Sequence, residues 1–386
     1  MNGASRSLDI AFIGARGVVG TYSGIETYYE EVGSRLVARG HRVVAYCRNY
    51  FTPDVAAHRG VTVRRLPCLR GSKHLETLSH SLLATFDCLP RRFDVVQFHA
   101  IGSAPLAWMP RLAGARTVVS VRGLDWQRAK WGGFARFVLQ SGEWASARAP
   151  NATSVVSSTL AEHYARVHGR RPTMIPNAVP PAERAPLERL RAHGLSGDDF
   201  VLYAGRLSPE KNVDTLIAAF AALRPRETLV IAGGSSQTDE YVEQLRAAAD
   251  AADGARVLFL GRVDRTGMRE LLSHCRVYVL PSTMEGLSVG LLEAVAYGAA
   301  IVASEIPENR EVVGDAAVLV PPGDVDALRG ALHRLLGEGS AVRERLNTLR
   351  ARAAARAASW PNWDEVARRT EALYLRLTEP DPKRLR

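Results

Sequence analysis

The amino-acid sequence predicts an α/β protein of two doubly wound parallel-sheet domains, and three observations lead there. The chain has 386 residues, about two to three times the usual length of a single domain. Apolar runs of strand length alternate with helical segments along almost all of it, as parallel sheets covered by helices require. The alternation lapses once, near the middle, where prolines cluster.

In chain order, strands are predicted at 9–14, 42–47, 61–66, 94–98, 117–121, 153–156 and 173–175, with helical segments between most of them. Each is a short, predominantly apolar run of the kind a covered sheet needs. The stretch 176–199 carries Pro176, Pro180, Pro181 and Pro186 with no strand period, so it reads as the linker, with the hinge at 181–199. A second alternation follows, with strands at 200–205, 228–233, 257–261, 277–281, 300–303 and 317–320 and helices at 213–223, 239–252 and 287–297. After Gly337 the chain is rich in Ala, Arg and Leu. Pro361 then opens an amphipathic segment whose Trp363, Val366, Tyr374 and Leu377 need a surface to pack on, and 379–386 reads as a loose tail. The expected division is 1–180, the linker 181–199, 200–360, and a terminal segment 361–386 that packs back on the first domain.

Composition removes several classes. With 46% hydrophobic and 23% charged residues the chain is ordinary globular protein, not a disordered or collagen-like one. No apolar run approaches the roughly 18–20 residues that span a bilayer, and the run 8–13 is too short for a signal-peptide core, so a cytoplasmic protein is expected. Cys47, Cys68, Cys88 and Cys275 show no C-x-x-C spacing and read as buried free thiols. The net charge of +10 is uneven: Lys and Arg number 25 against 13 Asp and Glu through Leu190, and 25 against 27 after it. Nucleic acid, an anionic membrane surface or a phosphorylated substrate would each suit a basic N-terminal half.

Ligands of open parallel sheets bind beyond the carboxyl ends of strands, so the loops there are read first. After the first strand come Gly14, Gly17, Gly20 and Gly24, which permit close backbone approach to an anion; a flexible turn is the plainer reading. Their G-x-x-G-x-x-G spacing is not the dinucleotide fingerprint. At the start of the second alternation, Gly205 and Arg206 end a strand and Lys211 stands at the mouth of a helix, two cations beside free amides that suit a diphosphate. No P-loop motif occurs. The strongest signal is Glu285 and Glu293, eight positions apart, with a strand ending at Leu280 and a helix starting near Ser288. At ~1.5 Å per helical residue plus a short extended lead, the two carboxylates stand on the order of 10 Å apart. That spacing suits one sugar on Glu285, another on Glu293, and a diphosphate on the amides of Gly286, Leu287 and Ser288 between them. The alternative is a capping carboxylate and a solvated helix glutamate.

These residues resemble the donor site of glycosyltransferase family 4, retaining enzymes of the GT-B fold that use nucleotide-sugars without a bound metal. The resemblance covers nearly the whole chain. It implies that Glu293 holds the donor ribose, that Glu285 contacts the donor sugar, and that Arg206 and Lys211 neutralise the diphosphate. The N-terminal domain 1–180 would bind the acceptor and 200–360 the nucleotide-sugar. Motifs around Gly14, Tyr22, Arg70, Arg122 and Trp131 are similar to those of bacterial polysaccharide enzymes of the rhamnosyltransferase type, whose acceptors are lipid-diphosphate-linked sugars at the inner face of the membrane. Two departures stand out. Ser23 replaces the first glycine of the family's usual Gly-Gly, leaving Gly24, and Arg122 stands where many relatives carry a histidine. Asp125 and His99 are the remaining candidates for the acceptor side, with Asp125 also placed among the catalytic residues beside Glu285, Arg206 and Lys211.

No metal and no cofactor are expected. Asp324 and Asp326 have the D-x-D form that holds a metal in another class of glycosyltransferase, but a helix N-cap accounts for them better. Arg64, Arg65, Arg70 and Lys73, with Trp126, Arg128, Lys130 and Trp131, mix cations and tryptophan as a face pressed on anionic lipid would. The reaction expected from the resemblance is transfer of a sugar from a nucleoside diphosphate to an acceptor hydroxyl with retention, in surface-polysaccharide synthesis, the acceptor being a glycan or lipid-linked sugar. A nucleotide-sugar epimerase on the same plan is one competitor. A basic nucleic-acid-binding protein with a degenerate enzyme core is another, and the near-complete donor motif counts against it.

Overall fold

The computed structural model of the chain describes residues 6–19, 24–71, 73–127, 133–235 and 238–379, with backbone alone at Lys73, His74, Asp125, Phe134 and Ala135. Two compact units divide it. The first runs through Asn177 and includes the helix Trp363–Thr378; the second is Ala178–Trp360.

The first unit holds β1 (Asp9–Ile13), β2 (Arg42–Arg48), β3 (Ala57–His58), β4 (Val61–Leu66), β5 (Val95–His99), β6 (Arg116–Val121), β7 (Ala152–Val155) and β8 (Thr173–Met174). Their order in the sheet is β3-β4-β2-β1-β5-β6-β7-β8, parallel except for the β3–β4 pair. The two-residue β3 was not expected, because a pair of residues carries no readable period. Central strands read as unbroken apolar runs because helices cover both faces. Ile10, Ala11, Phe12 and Ile13 of β1 are fully buried, and each large side chain among them contributes about 1.5–3 kcal/mol by leaving water.

The second unit holds β9 (Phe200–Ala204), β10 (Thr228–Ala232), β11 (Arg256–Gly261), β12 (Val277–Leu280), β13 (Ile301–Ser304) and β14 (Ala317–Val320). All pair in parallel in the order β11-β10-β9-β12-β13-β14. The stretch 181–199, expected as a linker and hinge, lies inside this unit. Buried Glu270 is the reason: its Oε1 accepts the backbone N–H of Glu188 at 2.6 Å and of Leu190 at 3.0 Å. Ser273 Oγ accepts from Ala185 N at 3.1 Å, and Tyr297 OH donates to Glu183 O at 3.0 Å.

The amphipathic segment after Pro361 forms the helix Trp363–Thr378, capped by Asn362, whose side chain accepts from Glu365 N. It packs on the first unit's helix Gly24–Ala38: Arg35 pairs with Asp364, and Arg39 and His41 both meet Glu371. Deeper in, Tyr28 OH and Thr370 Oγ1 are 3.0 Å apart and Tyr374 OH donates to Gln97 Oε1, all within a buried network. Tyr374→Phe keeps the packing but strips Gln97 Oε1 of that donor. A buried polar group left short of a partner costs about 1–3 kcal/mol, so thermal denaturation should show a lower melting temperature with unchanged far-UV circular dichroism.

Candidate active site

In the second sheet the strand order reverses between β9 and β12, and loops leaving the carboxyl ends of two such strands diverge to opposite faces and open a crevice. The loop after β9 is 205–212 and the loop after β12 is 281–288. Glycine makes the first one possible. A Cβ on Gly233 would stand 1.8 Å from Gly205 O, so the backbones beyond β9 and β10 touch as no other residue allows. Gly205 N donates to Ala232 O at 2.9 Å, and Tyr203 OH donates to Arg206 O at 2.8 Å. Arg206 itself is partly exposed.

The two loops are joined. Thr283 N donates to Glu210 O at 3.0 Å. Lys211 Nζ reaches Glu285 Oε1 at 2.6 Å, with 11% and 8% of the two side chains exposed. Lys211 was expected to face a diphosphate and Glu285 a sugar; the fold places the two against each other. Asn212, in the left-handed conformation at φ 55°, turns the chain into the helix Val213–Leu223. Ser288 caps the helix Val289–Ala296 by accepting from Leu291 N, with Gly286 and Leu287 just before it. Gly290 allows that helix to approach β12 and β9: a Cβ there would lie 2.8 Å from Tyr278 OH and 3.4 Å from Ala204 O.

Glu293 lies on this helix, where burial pushes its carboxyl up to about 7 and Arg265 opposes the shift. Sequence reasoning missed Glu308, on the first turn of the helix Pro307–Val313 after β13. Its carboxyl is raised by burial and by the nearby charges of Glu285 and Glu311. Its signal was available: Pro307 opening a helix directly behind a buried strand marks another ligand-facing loop. Ser208 Oγ and Ser282 Oγ, one on each loop, are buried without a hydrogen-bond partner among the described residues. Asp324 accepts from Ala327 N at 2.9 Å as the expected N-cap, and Asp326 pairs with Arg329.

In the first unit the reversal falls between β1 and β5. Gly14 there has φ 117°, and a Cβ on it would stand 2.6 Å from His99 O. Two amides of the glycine loop are bound by side chains of the helix Gly24–Ala38, since Tyr29 OH accepts from Ala15 N and Glu26 Oε1 from Arg16 N. Gly20 and Ser23 lie outside the described residues, and Gly24 opens the helix Gly24–Ala38. His99, a candidate for the acceptor side, is fully buried among Phe12, Tyr28 and Tyr29. Gln97 Nε2 lies 3.0 Å from His99 Nε2. Burial, helped by the charge of Arg122, holds this imidazole well below its usual range and therefore neutral. Arg122 lies 4.3 Å over the Tyr28 ring and donates to Asn177 Oδ1 at 2.5 Å. The side chain of Asp125 lies outside the described residues. So do Arg128, Lys130, Trp131 and the side chain of Lys73. Of the other cations expected to face lipid, Arg64 pairs with Asp87 and Arg65 with Asp54, while Arg70 stacks 4.6 Å from the Tyr50 ring.

Two families match the chain, one to each unit: the "Glycosyl transferase 4-like domain" over residues 23–178 and "Glycosyl transferases group 1" over residues 198–338. Among curated proteins, the O-antigen chain mannosyltransferase B of Escherichia coli is 33% identical over 47% of this chain and 47% of its own length. The glycogen synthase of Mycobacterium tuberculosis is 35% identical over 53% of this chain and 48% of its own length. The chain thus spans about half the length of these relatives. Among solved structures, the sucrose-phosphate synthase of Thermosynechococcus elongatus superposes with a TM-score of 0.82 at 24% identity, covering 95% of this chain and 98% of that one. Anabaena HepE in complex with UDP-glucose gives 0.78 at 18% identity, over 95% and 99%. At these identities the likeness is one of fold, and that fold is GT-B.

Glu293 yields a test of the site's electrostatics. Its folded pKa lies above the unfolded value of 4.5, so the folded state holds the extra proton between about 4.5 and 7. The stabilisation from keeping Glu293 neutral is complete below 4.5 and lost as pH rises through 7. Glu293→Gln should therefore raise the melting temperature by a few degrees at pH 8, with the gain shrinking toward pH 5, as read by differential scanning fluorimetry.

Proposed function

Because the chain belongs to the glycosyltransferases, with the group 1 and family 4-like domains in one GT-B protein, we propose that it transfers a sugar from a nucleoside-diphosphate sugar to a hydroxyl of a glycan or lipid-linked acceptor. The observation that carries the reading is the convergence of Lys211 and Glu285 at the β9–β12 reversal, the position where open sheets bind nucleotides. Fold relatives solved with UDP-glucose, and with ADP in starch synthase IV, support a nucleotide donor.

In this reading Arg206, Lys211 and the amides of Gly286, Leu287 and Ser288 hold the diphosphate. As the glycosidic bond breaks, negative charge grows on the departing phosphate and these groups offset it. Before donor arrives, Glu285 balances Lys211 in a nearly dry setting; with donor bound, Lys211 turns to the phosphate and Glu285 is released to the sugar hydroxyls. Glu293, as a carboxylate, accepts hydrogen bonds from the ribose hydroxyls. Retention of configuration and independence from metal belong to the same proposal: the leaving group is stabilised by cations and amides of the chain, and the acceptor attacks from the face of departure.

A membrane-linked acceptor is supported by an inverted helix. Lys73–Cys88 turns His80, Ser81, Thr85 and Cys88 inward and leaves Leu75, Leu78, Leu82, Leu83 and Phe86 exposed. Water penalises that arrangement, while a bilayer interface rewards it. Trp108 and Leu112 are exposed close by, and the helix Gly133–Arg148 adds Phe137, Val138 and Trp144 with the exposed cations Arg136 and Arg148. Among the described residues no helix is long and apolar enough to cross a membrane.

Three outcomes are expected. Lys211→Ala lowers kcat/KM by about 10²–10³-fold, measured with whichever donor raises the melting temperature most in a panel of UDP-, GDP- and ADP-sugars; unchanged transfer removes Lys211 from the site. Binding of the matching nucleoside diphosphate tightens as pH rises through about 7, where Glu293 ionises, and Glu293→Gln flattens this dependence in calorimetry. Leu78→Glu with Leu82→Glu abolishes cosedimentation with anionic vesicles while leaving nucleotide binding intact.

A further inference from the structure

Away from both strand reversals, three side chains of the first unit converge in a way that neither the donor site nor the packing uses. Glu143, on the helix Gly133–Arg148, is buried. Its Oε1 lies 2.7 Å from His163 Nε2 and 2.7 Å from His168 Nε2, both carried by the helix Ser158–His168. Its Oε2 accepts the indole N–H of Trp126 at 2.6 Å. The exposed fractions of the Glu143, His163 and His168 side chains are 6%, 15% and 8%.

We propose that Glu143, His163 and His168 form a binding site for a divalent transition ion of the zinc class. One carboxylate oxygen and two imidazole nitrogens form a borderline-hard set that this ion takes in three-ligand sites, leaving one position for water. The three donor atoms already lie within 4.8 Å of one another, and ligation at about 2.0–2.2 Å brings them to an edge of about 3.3 Å, a small adjustment. The ion takes the space now bridged by the two ring protons; each imidazole binds in its neutral form, with its remaining proton on Nδ1.

Two features prepare the site. The indole of Trp126 fixes the carboxylate from behind, the outer-shell contact that orients a ligand. His168 is the last residue of its helix, capped by Gly169 at φ 61°, so the ion sits beside the negative end of the helix dipole. The spacing of five between the histidines hid the site from the sequence. On a regular helix it separates two side chains by roughly 140°, and only the partner helix, through Glu143, draws both rings to one point. A bound ion ties together the helices Gly133–Arg148 and Ser158–His168 and, through Trp126, the turn Asp125–Gln127.

The test uses the full chain, stripped with a chelator and dialysed against Zn²⁺ or Co²⁺ alone. One equivalent of Zn²⁺ per chain is expected, together with the intense visible d–d bands of a low-coordinate Co²⁺ site. Glu143→Gln and His168→Gln should each weaken Zn²⁺ binding at least tenfold, and Trp126→Phe by about 10–100-fold. His58→Gln, at a histidine paired with Glu30, should change nothing. Zn²⁺ binding that survives Glu143→Gln unaltered overturns the proposal, because the ion is then held elsewhere. If a variant fails to fold, the unmodified chain decides: Co²⁺ taken up without those bands, or not at all, equally overturns it. Both readouts are independent of transferase activity.

Discussion

The contact on which the candidate site depends is the one between Lys211 and Glu285, 2.6 Å apart and mostly withdrawn from water. They are 74 residues apart in the chain, and the strand order alone makes them neighbours: β9 and β12 lie side by side where the winding of the sheet reverses. Each partner satisfies the other where an unpaired charge would cost several kcal/mol. The pair therefore keeps an acid and a base ready at the crevice without deforming the loops that carry them.

Close backbone contact is the second constraint, and it recurs in both units. Gly14 against His99 and Gly233 against Gly205 are points where a methyl group would collide with a carbonyl oxygen. Each lies at the carboxyl end of adjacent strands, so the loops beyond start from a fixed and tightly spaced base. Around the second of them the loop side chains Lys211 and Glu285 meet. Around the first, the amides of Ala15 and Arg16 are already bound by Tyr29 and Glu26, and His99 is sealed in an aromatic shell. The same topology thus gives two reversals of different character.

Polar side chains do unusual work inside the first unit. Gln97, Tyr28, Thr370 and Tyr374 link the terminal helix to the sheet through buried hydrogen bonds, which require directional alignment in a way apolar contact does not. The helix Lys73–Cys88 extends the pattern by burying hydroxyls and an imidazole while showing leucines. An imidazole buried there is held at about 4 by desolvation, so His80 stays neutral at physiological pH.

Local chemistry made much of this legible beforehand. Unbroken apolar runs announce strands covered on both faces, as β9, β10, β12 and β13 are, and all six strands of the second sheet lie within a residue or two of their predicted positions. Ser288 before its helix and Asp324 before another follow from capping alone. Strand order and helix packing, by contrast, are properties of the folded chain, and what depended on them had to await the tertiary structure: that Lys211 faces Glu285, that Glu308 stands near the same carboxylate, that Glu270 accepts from the backbone of Glu188 and Leu190, and that His163 and His168 meet over Glu143. Desolvation belongs with them, since no local sequence states how far Glu293 or His99 lies from water. The sequence by itself determined the elements and the residues able to act; the fold decided which of them meet and which charges are buried, because both are set by contacts between segments far apart in the chain.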